Sequence, residues 1–565
     1  MQKSVERSFD AIVIGSGMTG GWAAKELTEK GLKTLVLERG REVKHLQDYP
    51  TMNMAPWEFK YRKLDSHQVK EEYPIQSRKY NFSEASKHFF VKDNEHPYHF
   101  PEDKPYWWFR GYQTGGRSLI WGRGAYRWSD YEFDVHRTDG HGVDWPIRYK
   151  DIKPWYDYVE RFIGVSGSKE GLEQFPDGEF LEPVKLNCVE VEIKKRIETQ
   201  YPDRTLIPNR IAHLTKVKPG QFKGRSQCQN RNMCHRGCPF GAYFSSNSST
   251  LPAAQETGNL TMVHHAIVES ILYDEQKDRA SGVRVIDAET QEVTEYYARV
   301  IFLCASTIPS TAILLRSISN RFPNGLGNTS GVLGHYLMDH HKAVGGSGMF
   351  EGMLDKTYYG YRPTGVAIPR FVNLKVKESS FSRGYGIWGG ASRQGLHFDQ
   401  EGIGEELKSK MTKQGPWYFS LQAYGACLPY YDNRIELDYD KKDPWGLPMV
   451  KISAEFKENE FVMRRHMEEQ VREILEVAGL SNIQTFASEP IHGDSVHEMG
   501  TARMGRDPET SFLNGYNQSH EVPNLFVTDG TAMTSSGHMS PSLTYMALTA
   551  RACDYALRQM KEGVI

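Results

Sequence analysis

Residues Phe9 to Glu38 constrain this chain more than any other stretch. Phe9-Asp10-Ala11-Ile12-Val13-Ile14 is a short apolar run, and Gly15-Ser16-Gly17-Met18-Thr19-Gly20 is a glycine turn. Trp22 to Lys30 reads as a helix, and a second apolar run ends in the acid Glu38. Strand, turn, helix and strand in that order form a βαβ unit carrying the G-x-G-x-x-G fingerprint of dinucleotide sites. Gly15 permits the tight turn, Gly17 lets a pyrophosphate approach the backbone, and Gly20 lets helix and strand pack closely. The helix N-terminus offers free N–H groups and a partial positive charge to the phosphates. Glu38 falls about 20 residues on, placed to accept hydrogen bonds from a ribose. The acid favours an unphosphorylated ribose, so NAD or FAD rather than NADP, and the unit does not choose between those two. A purely structural βαβ turn competes with this reading; it is weakened because strand, helix and acid all fall where the fingerprint asks.

Length and charge narrow the rest. At 565 residues the chain exceeds what one core supports, so two or more domains are expected. The net charge is −2, from 69 basic and 71 acidic residues, which gives no electrostatic case for nucleic acid. No apolar run approaches the length needed to span a bilayer. Met1 to Arg7 leads straight into the first strand, with no room for a signal peptide. The chain is therefore expected either to be cytoplasmic or to be carried across a membrane by a partner. Seven cysteines in this length are no disulfide framework.

Along the chain the fold class reads as α/β: a Rossmann-like nucleotide domain with a second domain built on an antiparallel sheet. Residues 41 to 104 are polar and irregular, an excursion over the nucleotide domain. Trp107 to Arg123 is a second glycine-rich segment, in which Gly115 and Gly116 would let backbone lie against a planar ligand; a structural turn fits equally by composition. Trp145 to Val165 looks like a turn and an amphipathic helix, with Ile152, Trp155, Tyr156, Val159 and Ile163 near helical spacing. Strands are expected at 259–263, 266–268, 281–286, 296–299 and 300–305, with a polar hairpin at Asp274 to Asp278. A helix is expected at Thr311 to Ser317. From about 326 the runs alternate as in strands, for example Trp417 to Tyr424 and Arg434 to Leu437. A long helix from about Glu458 to Ala478 closes that region. The expected division is a nucleotide domain over 1–325, a substrate domain over 326–487, and a return to the nucleotide domain over 488–565.

Two constellations carry chemistry. Cys228, Cys234 and Cys238 stand as C-x5-C-x3-C in a polar loop, and thiols so spaced can ligate soft metals or an iron–sulfur cluster. Zinc motifs usually bring a second C-x2–4-C pair, which is missing here. The bland alternative is three ordinary reduced cysteines. Near the C-terminus, His497 sits among glycines and small residues, and His538 precedes Ser540-Pro541. Ser540 is a good N-cap and Pro541 suits the first helical position, so a packed helix should follow. Its N-terminus would stabilise negative charge on a reduced ring cofactor. A lone histidine is usually structural, and His335, His340, His341 and His492 compete.

Taken together, these motifs resemble the glucose–methanol–choline (GMC) family of flavin oxidoreductases over most of the chain. The resemblance rests on Gly15 to Glu38, on Gly115-Gly116-Arg117-Ser118, and on Ala305 to Pro309. It extends to Gly334-His335-Tyr336-Leu337-Met338-Asp339-His340 and to Asn524 to Gly530. It implies FAD rather than NAD, held by Gly15, Gly17, Gly20 and Glu38 at one end. Gly115, Gly116, Ser118, Val268, Asp529, Gly530 and Pro541 complete the implied cofactor set. It implies that His497 removes the substrate hydroxyl proton while hydride passes to the flavin; a neutral imidazole near pH 7 suits that role. The family's second active-site position, often Asn or His, is Ser540 here, a departure that leaves Ser540 and His538 as alternatives. Ile120 stands before Trp121, where some members carry a flavin-linking His, so FAD should be non-covalent.

Within the family, the cysteine loop is similar to that of bacterial membrane-linked sugar dehydrogenases. That likeness implies a 3Fe-4S cluster on Cys228, Cys234 and Cys238. It also implies a c-type cytochrome acceptor, a small subunit bearing the export signal, and a periplasmic location. The stretch Pro541 to Arg551 is similar to glucoside 3-dehydrogenases, so a sugar or glycoside oxidised at C3 is expected. A gluconate- or sorbitol-type polyol dehydrogenase, an O2-using oxidase with structural cysteines, and a non-catalytic flavoprotein subunit are the alternatives.

Overall fold

In the computed structural model, the described residues are 7–59, 66–357, 365–375, 377–378, 380–394, 402–412 and 414–565. The opening residues 1–6, and residues 60–65 of the irregular excursion, lie outside them.

The first unit forms as its glycines dictate. The strand Ser8–Ile14, the helix Met18–Glu29 and the strand Thr34–Leu37 follow one another, and the two strands pair in parallel. Gly15 has φ +95°, and a Cβ there would meet the Cys304 carbonyl oxygen at 2.6 Å. A Cβ on Gly20 would lie 1.9 Å from the Gly15 carbonyl oxygen, so helix and turn touch through bare backbone. These strands sit inside a seven-stranded sheet in the order 260–263, 34–37, 8–14, 293–303, 279–287, 266–274; the strand Leu525–Val527 pairs with 293–303. The last four residues of Ser8–Ile14 are almost wholly buried, and 300–303 beside them are buried throughout. Helices cover the sheet's faces, which is why its central strands read as continuous apolar runs.

Two expected strands, 296–299 and 300–305, are one element, Val293–Leu303. Its first part alternates and pairs antiparallel with the strand Arg279–Asp287; its second part is buried between parallel neighbours. The change of pattern marks a change of environment, not a break. The amphipathic helix spans Tyr149–Ile163, with Ile152, Tyr156, Val159 and Ile163 all fully buried. The helix expected from Thr311 begins at Thr307, with Pro309 tolerated in its first turn.

The second sheet has six strands, in the order 481–487, 340–350, 417–426, 385–393, 366–368, 207–208. All its pairings are antiparallel. Its strand Trp417–Ala426 alternates: Trp417, Phe419, Leu421 and Ala423 are buried, while Ser420, Gln422 and Tyr424 face the other way. The buried set packs with Met463, Met467, Val471, Ile474 and Leu475 of the helix Glu458–Val477. The same core takes in Val189, Ile193, Ile197 and Leu206 from earlier in the chain. The strand Arg434–Lys442 pairs with Pro448–Ser453 in a ribbon separate from both large sheets. The chain ends in the helix Ser542–Lys561.

Candidate active site

A cavity of about 790 Å³ lies between the two sheets, lined by the glycine turn on one side and by the second sheet's polar face on the other. Gly15, Gly17, Glu38, Gly116, Ser118, Val268, Asp529 and Gly530 line it; Gly20, Gly115 and Pro541 do not. Gly20 and Gly115 act through packing instead: a Cβ on Gly115 would strike the Asn247 side chain at 1.7 Å. Gly17 differs, because a Cβ there would meet nothing within 4 Å and would project into open space. That is the cradle a pyrophosphate needs. The two glycine segments are tied together: the Gly115 N–H donates to Ser16 Oγ at 3.0 Å. Ser246 bridges them, its N–H to Ser118 Oγ at 3.1 Å and its hydroxyl to the Gly17 carbonyl at 2.9 Å.

Glu38 is buried at the cavity wall. It accepts the Ser16 N–H at 3.1 Å and the Gly40 N–H at 2.9 Å, and also bonds the Ser16 hydroxyl. Burial pushes its carboxyl above the usual range against those donors. Asp529 is likewise held by Ser310 and by both donors of Thr531, which fixes Gly530 beside the cavity. The chain's own residues thus fit an FAD-type dinucleotide.

At the other end, His497 reaches the cavity from the segment after the second sheet. Its backbone N–H donates to Asp339 Oδ1 at 3.1 Å. Asp339 also takes the Gly493 N–H at 2.9 Å and the Ser495 hydroxyl. Buried beside Glu498, its carboxyl is pushed up to about 6. The neighbouring residue, His340, places Nδ1 3.1 Å from His497 Nδ1, with the two rings edge to face. His497 Nε2 lies 3.3 Å from Ser540 Oγ. Desolvation, then His340, Lys79, Arg117 and Lys342, hold the His497 imidazole well below its ordinary value. It is therefore neutral near pH 7. For Nε2 to present a lone pair, Nδ1 must carry the hydrogen and donate to His340. Beneath it, Glu498 is paired bidentately with Arg117 at 2.8 and 3.0 Å, so its charge is compensated.

The structure brings Ser540 to His497, and not His538. His538 is buried away from the cavity, with Nδ1 2.8 Å from Glu132 Oε1. Burial raises the Glu132 carboxyl's pKa, but His538, Arg370 and the Ser129 N–H outweigh it and hold it low. Ser540 is also not the cap of the last helix, which starts at Ser542 with Pro541 in the capping position. The Ser540 hydroxyl turns to the histidine instead. The Asp339–His340 pair that supports His497, and Lys79, were not among the residues expected from the sequence. The signal for the first was the Gly334–His340 motif; Lys79 sits in the unpatterned excursion and gave none.

The cysteines lie elsewhere. Cys228, Cys234 and Cys238 are half-buried thiols on one loop, and Gly237 between them, at φ +88°, packs on Tyr49. Burial raises the Cys228 and Cys234 thiols, while Arg123 acts in the opposite sense. Among the described residues no three His, Cys, Asp or Glu side chains are gathered so as to hold a metal ion.

A Rossmann-like sheet with this glycine cradle, an antiparallel second sheet, and a cavity between them lined by a histidine are the architecture of a dinucleotide-binding enzyme. The chain belongs to the GMC oxidoreductase family: residues 9–342 and 429–549 match it. That membership implies FAD and chemistry on CH–OH groups. It is similar to the fructose dehydrogenase large subunit of Gluconobacter japonicus, 24% identical over 98% of this chain and 99% of that one. It is also similar to 2-methyl-1,2-propanediol dehydrogenase of Mycolicibacterium austroafricanum, at 27% identity over 98% and 96%. The solved structure of pyridoxine 4-oxidase from Mesorbium loti shares the fold, with TM-score 0.61 at 14% identity over 97% and 99% of the two chains.

Proposed function

We propose that this enzyme oxidises a secondary hydroxyl of a sugar or glycoside, at C3, to a ketone. The observation that carries the reading is His497 Nε2 at 3.3 Å from the Ser540 hydroxyl at the cavity wall. FAD, when bound, supplies the acceptor for the hydride leaving the carbinol carbon. His497 takes the hydroxyl proton at Nε2, and Ser540 orients the substrate oxygen by one hydrogen bond. Asp339 holds the His497 backbone N–H, and His340 fixes the ring and its tautomer. The face of the second sheet turned to the cavity, with Lys342, Ser347, Trp388, Ser420, Gln422 and Tyr424, offers a polar and aromatic wall suited to a sugar ring.

The proposal has a second part. Cys228, Cys234 and Cys238 would be the ligands of a three-iron cluster; three soft thiols on one loop are the support, although the structure does not gather them about one point. Such a cluster would pass electrons to a c-type cytochrome, and a small partner subunit would carry the chain to the periplasm. The name "large subunit" of the fructose relative supports a partner. Among the described residues no helix is long and apolar enough to cross a membrane.

The test is anaerobic flavin bleaching by a panel of glucosides, gluconate and sorbitol, followed by product analysis, with iron assay and low-temperature EPR on the same sample. Bleaching by glucosides with a 3-keto product, in brown iron-containing protein, is expected. Bleaching by gluconate alone overturns the substrate reading. Yellow, iron-free protein that forms peroxide overturns the cluster and favours an oxidase.

A further inference from the structure

Lys79 belongs to the irregular excursion between the first unit and the second glycine segment. Its side chain nevertheless lines the same cavity as His497 and Ser540, and the residue is 8% exposed. Burial, and after it the nearby Lys342 ammonium, lower its pKa to about 7, so the positive charge it turns to the cavity is carried below that pH. The Asp494 carboxylate is taken by Lys342, Nζ to Oδ1 at 3.0 Å. Lys79 Nζ donates to the Asp494 carbonyl oxygen at 2.7 Å instead. The rings of Phe109 and Tyr80 lie 5.0 and 5.7 Å from the nitrogen. Asp339 and Glu498 are within electrostatic reach, but Asp339 is engaged by Ser495, Gly493 and His497, and Glu498 by Arg117. An ammonium has three donors, and one is used by the carbonyl. Lys79 also acts on His497 itself, whose basicity it lowers, so a ligand held at His497 lies in the field of this ammonium.

We infer that Lys79 is a specificity-determining cation of the substrate cavity, admitting uncharged or anionic hydroxyl compounds and rejecting alcohols that carry an ammonium group. The inference rests on the reading of this cavity as the site of hydroxyl oxidation. Two like charges brought together in a partly buried cavity cost enough to change selectivity at least tenfold, and a charge-assisted hydrogen bond to an anion is of similar size.

The test uses three ligands on one ring: methyl glucuronide, methyl glucoside and methyl glucosaminide, at about pH 6.5 where the amine is charged. FAD-loaded wild type, Lys79→Gln and Lys79→Arg are compared by anaerobic flavin reduction and by the flavin absorbance change on binding. The expected result is that the glucuronide-to-glucosaminide ratio of kcat/KM falls at least tenfold in Lys79→Gln and stays near wild type in Lys79→Arg. An unchanged ratio in Lys79→Gln overturns the inference. If none of the three reduces the wild-type flavin, the hydroxyl-oxidation reading falls. The ratio of dissociation constants then decides on Lys79: a tenfold change in Lys79→Gln sustains it, and no change overturns it.

Discussion

Replacing His340 by Leu removes the partner of His497 without disturbing the cavity wall's volume. His340 is 2% exposed and lies 3.1 Å from His497, ring nitrogen to ring nitrogen. Burial pushes its own basicity down to about 4, so near pH 7 it is a neutral acceptor. With Leu in its place, the His497 Nδ1–H has no acceptor, and the tautomer with a free Nε2 loses its support. Leaving such a buried donor unpaired costs about 1–3 kcal/mol. At about 1.4 kcal/mol per tenfold in rate, that is roughly a 5- to 150-fold loss. The assay is stopped-flow flavin reduction under anaerobic conditions, resolving the limiting rate from the substrate's apparent dissociation constant. The limiting rate should fall within that range while binding changes little, and His340→Gln, which restores an acceptor, should recover part of it. In a His497→Ala background the His340 change should add almost nothing, because the two act as one unit. A full additional loss there, or an unchanged limiting rate in His340→Leu alone, would refute the reasoning.

Four further outcomes follow from the geometry. Ser540→Ala, which removes one neutral hydrogen bond of about 1 kcal/mol, should lower kcat/KM about fivefold; a loss as large as that of His497→Ala would make Ser540 more than an orienting group. His538→Ala should lower Tm, because it strips Glu132 of its buried partner, and should leave flavin reduction near wild type; a rate loss matching Ser540→Ala would contradict its placement outside the cavity. Gly17→Val should leave the fold intact and weaken FAD retention, whereas Gly20→Ala should destabilise the protein by about 1–3 kcal/mol through overpacking, read from apoprotein Tm and bound flavin. Acid should unfold the protein early. His340 and His492 are held to about 4 against an ordinary 6.5, so the stability they contribute is present above 6.5 and lost as pH falls toward 4, on the order of 3 kcal/mol each. Asp339, raised from 3.8 to about 6, works in the opposite sense over that window by a similar amount for one group. Denaturant midpoints at pH 7 and pH 4.5 should therefore fall with acid; equal midpoints would show that these histidines are charged in the folded state.

The first unit was legible because its residues have few substitutes. Gly15 at φ +95° and Gly20 against the Gly15 carbonyl leave no room for a side chain, so the glycines themselves announce the turn. The buried strands and the long helix Glu458–Val477 were legible for the ordinary reason that burial follows periodicity. Local pattern failed where one element crosses two environments, as in Val293–Leu303. It also failed where the partner is far away in sequence. His538 looked available for catalysis because Glu132, 406 residues off, could not be seen to claim it. Lys79 meets the Asp494 carbonyl across 415 residues, from a segment without periodicity. Ser540 had the chemistry of a helix cap, and only the fold shows its hydroxyl turned to His497.

The central claim is that His497 is the base and that the glycine cradle binds cofactor independently of it. The most direct measurement is anaerobic flavin reduction by a substrate of the wild-type enzyme in His497→Ala, on samples matched for bound FAD. The cradle at Gly17 and the base are formed by separate segments, so FAD content should equal wild type. The rate of flavin reduction should fall about 10²- to 10⁴-fold, the usual worth of a positioned general base. Reduction at the wild-type rate, with FAD fully bound, would contradict the account.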